Sequence, residues 1–378
     1  MQIEINSPEE AELVEQLKKR TDPEAKRMLR FLNMPDLSRQ AGSPIAEIVN
    51  LILKTKLFSK FDTIKVPEIV PYDISFDVFN FSADHPARNR SDTYFIDQSH
   101  VLRTHTTVMW YYHVNYPVVK EKIKNKEAVG AVCYGKVFRK DEIDRSHMNV
   151  FHQIDAWYIA PKNQKIIGVE DLKEVLIESA KAVYGPDIQY RFNKDEFPYT
   201  DPSLEMEINL GNRWIEVLGS GVVHTKVLEN LDIDPDQYNG WAFGSGLERL
   251  AILSMDLPDI RLLWSEDPRV KKQLKLGNKF KEVSKYPAIT RDISFVVTKD
   301  FIPNNYFDLI RDLGGILVEE VQLIDKYEDT AKFGPDRVSY TYRIIYRSNE
   351  RTLVSSEVDA TQNEIYNQTA KQFKAELR

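Results

Sequence analysis

Apolar residues recur at helical spacing near the start of the chain and alternate with polar ones through its middle. Ser7-Pro8-Glu9-Glu10 is a helix start, with Ser as N-cap, Pro in the first turn and Glu three residues on, and Leu13, Val14 and Leu17 follow at helical spacing. Thr21-Asp22-Pro23-Glu24 starts a second helix carrying Met28, Leu29 and Leu32. This pair, within residues 1–37, carries no assigned chemistry. Ser43-Pro44 opens a third helix through Ile45, Ile48, Val49 and Ile52, and residues 61–67 alternate as a strand that ends at a proline. Between 101 and 221 the pattern is mainly that of strands, best at 137–139, 151–159, 204–210 and 214–218, interrupted by a helix near 172–183. Gly244-Ser245-Gly246 then opens a helix that buries Leu247, Leu250, Ala251 and Leu253. Helices flanking a mostly antiparallel sheet predict an α+β domain.

Beyond residue 270 the pattern changes. Lys271, Lys272, Lys275, Lys279, Lys281 and Lys285 crowd a stretch whose one acid is Glu282; a solvated linker and a nucleic-acid backbone contact fit it equally. A strand at 292–297, a helix at 304–313, strands at 316–324 and 338–346, a helix at 356–373 and a last strand at 375–378 make a ferredoxin-like split βαβ unit. The expected organisation is a helical extension at 1–37, a main domain at 38–270, a linker at 271–283 and a second domain at 284–378.

Length agrees, since 378 residues exceed what one core usually holds. Hydrophobic residues at 42% and charged ones at 29% are ordinary for a globular protein, no run reaches membrane-spanning length, and the polar opening resembles neither a signal nor a transit peptide. The lone Cys133 excludes an internal disulfide and a cysteine-built zinc site. A net charge of -7 argues against a protein that coats nucleic acid without specificity, but not against an enzyme with one basic face.

The candidate chemistry lies in polar groups planted among strands. Arg139 follows Val137-Phe138; a guanidinium there is either a surface strand residue or a bidentate partner for phosphate or carboxylate. Phe151, Gln153 and Asp155 share one strand face, offering a ring, an amide and a carboxylate, unless that face is merely solvated. Gly244-Ser245-Gly246 at a helix start favours anions, with Arg249 in the first turns. Phe197-Pro198-Tyr199 places two rings that either wall an apolar pocket or pack in the core. His105 sits among hydroxyls. No metal-site spacing and no nucleophile–base pair stands out, so the pattern is one of binding by positioned charges.

In order along the chain, Asn80-Phe81, His85-Pro86-Ala87-Arg88, Asp92-Thr93-Tyr94-Phe95, Leu102-Arg103-Thr104-His105-Thr106, Phe138-Arg139, Phe151-His152-Gln153, Phe197-Pro198, Trp214-Ile215-Glu216, Gly240-Trp241-Ala242-Phe243-Gly244 and Gly246-Leu247-Glu248-Arg249 resemble the phenylalanyl-tRNA synthetase catalytic subunit, a class II aminoacyl-tRNA synthetase. Ser284-Lys285-Tyr286-Pro287-Ala288 and Arg291-Asp292-Ile293-Ser294-Phe295 resemble the start of that family's ferredoxin-fold anticodon-binding domain. Both on one chain is the arrangement of the mitochondrial single-chain enzymes. The resemblance runs from about Ser43 onward and implies a class II antiparallel sheet, ATP and Mg²⁺, tRNA(Phe) and L-phenylalanine as partners, no membrane, a monomer and a mitochondrial matrix location.

By position, it implies that Arg139 holds the α-phosphate and amino-acid carboxylate, and Arg249 the γ-phosphate, as the catalytic pair. Phe151 would stack on adenine, with Asp141, Ser146, His147 and Met148 near ATP and Glu216 near the substrate and Mg²⁺. Gln153 and Asp155 would face the ammonium, with His105, Thr107 and Trp110 nearby, and Phe197, Tyr199, Ala242 and Phe243 would wall the side-chain pocket. The sequence departs from the family pattern at Thr107 (usually Ser), Trp110 (usually Gln or Glu), Asp155 (usually Glu), Tyr199 (commonly Phe) and Ser245 (which interrupts Gly-Leu-Gly). Four of these concern the amino-acid pocket and none the ATP contacts. Rival readings are a synthetase for another large amino acid and a catalytically silent tRNA-binding paralogue.

Overall fold

The computed structural model describes all residues except 212 and 283–285; Ser284 and Lys285 of the second-domain motif therefore lie outside the described residues. The chain divides into two compact units. The first comprises Met1–Arg139, Val150–Asp256 and Lys275–Lys279; the second comprises Lys140–Asn149, Leu257–Leu274 and Phe280–Arg378.

In the first unit the helix starts work as the sequence predicts. Ser7 Oγ accepts from the Glu10 amide at 3.1 Å at the head of α1 (Pro8–Lys19), and Asp22 Oδ1 from the Ala25 amide at 2.9 Å at the head of α2 (Pro23–Asn33). Each such cap is worth about 1 kcal/mol. Helix α3 (Pro44–Leu53) is capped by Ser43 in the same way. An eight-stranded sheet follows, built from β1 (Gln2–Glu4), β2 (Asp62–Lys65), β3 (Val129–Phe138), β4 (Val150–Pro161), β5 (Tyr190–Phe197), β6 (Thr200–Leu210), β7 (Arg213–Val223) and β8 (Tyr238–Gly246) in the order β1-β2-β3-β4-β8-β7-β6-β5. From β3 onward every neighbour is antiparallel, while β1 and β2 add a parallel edge. Helices α4 (Val169–Tyr184) and α5 (Leu247–Met255) complete the main elements.

Two local expectations need correction. Arg139 is not inside a strand; β3 stops at Phe138. Gly244-Ser245-Gly246 does not open the helix but ends β8, paired with Asp155, Ile154 and Gln153, and α5 starts at Leu247. A glycine-rich strand end and a helix start look alike in sequence, because neither shows side-chain periodicity. Phe197 ends β5 and Thr200 opens β6, so Phe197-Pro198-Tyr199 turns the β5–β6 hairpin.

The helix pair at the N-terminus belongs to the first unit. Lys136 of β3, 3% exposed, points its ammonium at the end of α2, donating to the carbonyls of Leu32 at 2.8 Å and Met34 at 2.9 Å. A cation there satisfies orphaned carbonyls and complements the helix dipole.

The second unit holds β9 (Ile289–Thr298), α6 (Pro303–Gly314), β10 (Val318–Tyr327), β11 (Arg337–Tyr346), α7 (Ser355–Phe373) and β12 (Glu376–Leu377), with antiparallel order β10-β11-β9-β12. This is the split βαβ arrangement read from the sequence, over a core of Phe295, Tyr306, Tyr342, Ile344 and Ile365. Ile143 joins that core, and its carbonyl accepts from the Val321 amide at 3.1 Å. Among the described residues, no helix is long and apolar enough to cross a membrane.

Candidate active site

The site grows from one face of β4. Alternation puts Phe151, Gln153 and Asp155 on that face, and register places Gly246 opposite Gln153, Gly244 opposite Asp155 and Ala242 opposite Trp157. A Cβ on Gly246 would meet nothing within 4 Å, whereas one on Gly244 would come within 3.0 Å of Asp155 Oδ2. Beside Gly244 on β7 stands Gly219, where a Cβ would lie 2.9 Å from Phe197 Cζ. Glycines thus keep the floor low, so that Asp155 and the Phe197 ring settle onto it and room remains over Gln153.

Asp155 is the electrostatic centre. The residue is 5% exposed, and burial lifts its carboxyl from 3.8 to about 7, against the Thr107 hydroxyl, which donates to Oδ2 at 2.8 Å. The Trp110 indole N–H and Thr106 also favour the charged form, though neither side chain reaches full hydrogen-bond geometry. Gln153 Oε1 accepts from the Thr106 amide at 3.3 Å. His105 Nε2 donates to the Ser75 carbonyl at 3.1 Å; burial, then the nearby Arg139 charge, depress the ring to about 3, so it is neutral. Five buried side-chain polar atoms here make no hydrogen bond among the described residues: Ser75 Oγ, Thr104 Oγ1, His105 Nδ1, Thr106 Oγ1 and Trp110 Nε1. Unpaired buried polar groups are costly unless a partner meets them.

Aromatic rings wall the same region. Phe197 stacks on Tyr199 with centroids 5.9 Å apart and planes 11° apart; Tyr199 stands edge-on to Trp110 at 6.1 Å and to Phe79 at 6.4 Å. Trp110 stacks on Trp157 at 5.2 Å. Burial pushes the Tyr199 hydroxyl well up, so it is a neutral phenol. Phe79 and Phe81, the latter stacked on His105 at 5.8 Å, complete the wall; sequence reading passed over Phe79, which carries no polar neighbour to mark it.

The charged end is open. Arg139 Nε donates to the Thr104 carbonyl at 2.9 Å, and its guanidinium lies 5.3 Å from the Phe151 ring centre. Arg249, in the first turn of α5, is 3.3 Å from Glu216 Oε2; both are about half exposed, at 52% and 45%. Phe243 is the one wall residue not brought in: it pairs with Ala156, so its side chain leaves the opposite face, where it packs near Phe58 and Trp241. Ala242 does face the pocket side. Ser245 likewise points away and donates to the Val217 carbonyl at 2.6 Å.

Asp141, Ser146, His147 and Met148 lie in the segment Lys140–Asn149 of the second unit. There Asp144, unmarked in sequence, organises the turn: Oδ1 accepts from the amides of Ser146 at 2.6 Å and His147 at 2.8 Å, and Oδ2 meets His147 Nδ1 at 2.7 Å. Burial would raise its carboxyl, but these contacts outweigh it and the net shift is downward. The Asp141 carbonyl accepts from Arg311 at 2.7 Å.

Comparison with known proteins fits this geometry. Residues 32–274 match the model of the class II core domain (F) of tRNA synthetases, and residues 284–378 that of the ferredoxin-fold anticodon-binding domain. The chain belongs to this synthetase family. It is 36% identical to the mitochondrial phenylalanine–tRNA ligase of Mus musculus over 81% of this chain and 72% of that protein. It is 35% identical to the chloroplastic/mitochondrial phenylalanine–tRNA ligase of Arabidopsis thaliana over 90% and 80%. A phenylalanine–tRNA ligase alpha subunit from Caldicellulosiruptor saccharolyticus is 37% identical over 61% and 68%. Both domains of this synthetase family lie on one chain here.

Proposed function

We infer that the chain joins L-phenylalanine to tRNA(Phe) through an aminoacyl-adenylate, releasing diphosphate and then AMP. One observation carries the residue-level reading: a buried carboxylate, Asp155, lies at the foot of an aromatic wall on the same strand face that leads, through Gln153 and Phe151, to Arg139. An amino acid with its ring against Phe197, Tyr199 and Ala242 would bring its ammonium to Asp155 and Gln153 and its carboxylate toward Arg139. His105, Thr107 and Trp110 would line the ammonium end.

Attack of the carboxylate on the α-phosphate needs alignment and charge neutralisation, not a protein nucleophile. Arg139 would hold the α-phosphate and the attacking carboxylate, Arg249 the γ-phosphate, and Phe151 the adenine; Asp141, Ser146, His147 and Met148 are proposed to lie near ATP. The residues fit Mg²⁺ modestly. Among the described residues no group of three or more metal-binding side chains gathers, but Glu216 and Glu207 are paired across β7 and β6, and Mg²⁺ is usually held by one or two carboxylates plus substrate phosphates. Bound there, the ion would neutralise phosphate charge. The domain at 284–378 is proposed to read the tRNA anticodon, the chain to act as a monomer, and the location to be mitochondrial, as the relatives' names suggest.

The test is amino-acid-dependent ATP–pyrophosphate exchange across the aromatic amino acids, followed by tRNA charging. Exchange driven best by phenylalanine supports the reading. Preference for another amino acid replaces it with the rival that Trp110 and Tyr199 suggest, and no exchange at all points to a silent paralogue.

A further inference from the structure

A buried polar chain runs behind the site, and the proposed function does not use it. Glu248 is 3% exposed and sits one residue before Arg249. Its Oε2 accepts from the backbone N–H of His152 at 2.8 Å, and its Oε1 lies 2.6 Å from His152 Nδ1. His152, wholly buried, is flanked by Phe151 and Gln153, and alternation sends its ring to the face opposite theirs. At the far side of the ring, Nε2 is 2.9 Å from the Leu37 amide nitrogen, in the turn that follows α2.

Elementary hydrogen-bond accounting sets the protons. A peptide N–H can only donate, so Nε2 must be bare; Nδ1 must then carry the hydrogen, which it gives to the Glu248 carboxylate. Asp36 Oδ1 lies 3.4 Å from Nε2, but that carboxylate is turned by the Ser38 amide at 3.0 Å and by Arg39 at 3.2 Å, and the Leu37 donor is nearer and better placed. Glu248 also sits in the first turn of α5, where a carboxylate is favoured by the helix dipole.

We propose that Leu37, His152 and Glu248 form a positioning chain: it locks the start of α5 to β4 and so fixes Arg249 relative to Phe151. The segment after the N-terminal helix pair thereby acts on the ATP side of the site without touching substrate. The proposal rests on the reading of Arg249 and Phe151 as ATP contacts. It makes His152 and Glu248 positioning residues and predicts a selective effect. Loosening the chain shifts groups proposed for adenine and γ-phosphate, while the Thr107–Asp155 pair and the ring wall keep their own supports.

The chain also predicts an asymmetry between conservative changes. In Glu248→Gln, an amide NH₂ facing Nδ1 forces the other tautomer, which sets Nε2–H against the Leu37 N–H. In His152→Gln, one flat amide still offers a donor and an acceptor.

The experiment is pyrophosphate exchange with KM measured separately for ATP and phenylalanine, in full-length protein whose folding is checked by thermal melting. His152→Ala and Glu248→Gln are expected to raise KM for ATP about tenfold and leave KM for phenylalanine within about twofold, while His152→Gln stays within about threefold of the parent for both. Unchanged KM for ATP in folded His152→Ala, equal rises in both KM values, or no advantage of Gln over Ala at 152 would overturn the proposal. Should the variants not fold, nitrogen-15 NMR of histidine-labelled parent protein decides: a His152 ring protonated at Nδ1 alone supports the chain, and one protonated at Nε2 sinks it. If the parent itself gives no amino-acid-dependent exchange, the ATP-site reading has failed rather than the positioning chain.

Discussion

The two ends of the candidate site are built on opposite physical terms. At the amino-acid end a carboxylate and a phenol are buried among rings, and each is pushed toward its neutral form. At the phosphate end, Arg249 and Glu216 meet half in solvent, where an ion pair contributes little and is readily exchanged for another partner. The difference is instructive. Selecting an apolar side chain calls for a dry, preformed pocket, whose polar members are then costly to leave unpaired. Holding a polyanionic triphosphate calls for cations that can trade a weak internal partner for a strong external one.

The largest expected effect tests the charged end. Arg139→Ala and Arg249→Ala should each lower amino-acid activation about a hundredfold or more, near 3 kcal/mol of transition-state stabilisation, with little change in melting temperature. Near-parental pyrophosphate exchange in either folded variant would remove that arginine from the mechanism.

Next comes the buried carboxyl. Only the ionised form of Asp155 attracts an ammonium, so KM for phenylalanine should rise as pH falls below about 7, approaching tenfold per unit, and level off above it. KM for ATP should lack that limb. For folding, the sign is reversed: a carboxyl raised from 3.8 to about 7 contributes stability that is fully present below pH 3.8 and lost as pH rises through 7. Asp155→Asn should therefore weaken phenylalanine binding, abolish the pH limb, and melt no lower than the parent above pH 7. A KM for phenylalanine that is flat with pH in the parent would show that Asp155 does not bind the ammonium.

Gly219→Ala probes the floor. Its new Cβ would lie 2.9 Å from Phe197 Cζ, and Tyr199 is stacked on that ring, so relief comes by tilting Phe197 toward the pocket. Overpacking of this kind costs about 1–3 kcal/mol. We expect KM for phenylalanine to rise several-fold at unchanged KM for ATP; equal changes in both would blur the division between the two ends.

The smallest effect concerns Tyr199→Phe. An apolar pocket discriminates against an added hydroxyl only about a hundredfold, so the parent should activate tyrosine measurably. Removing the Tyr199 hydroxyl should alter the phenylalanine-to-tyrosine ratio only a few-fold, as read by exchange with each amino acid. A parent that gives no tyrosine exchange even at high concentration would mean that the phenol narrows the pocket far more than its edge-on contact with Trp110 suggests.

Much of this was legible in the sequence because it depends on short-range rules. Ser7, Asp22 and Ser43 announce their helices by capping chemistry that involves only the next few residues. The period of two through 151–155 assigns Phe151, Gln153 and Asp155 to one face whatever the strand's neighbours are. The strand-helix-strand-strand-helix order of the C-terminal unit needs only local periodicity to be recognised. What the tertiary structure alone decided is what depends on register and burial. Phe243 and Ala242 are adjacent in sequence, yet only pairing with β4 shows that one faces away and the other toward the pocket. Asp144 organises its turn, and Glu248 reaches His152 across 96 residues; neither carries a mark that separates it from a surface acid. The value near 7 for Asp155 belongs to no residue in isolation, because desolvation depends on every ring and strand that closes around the carboxyl after folding.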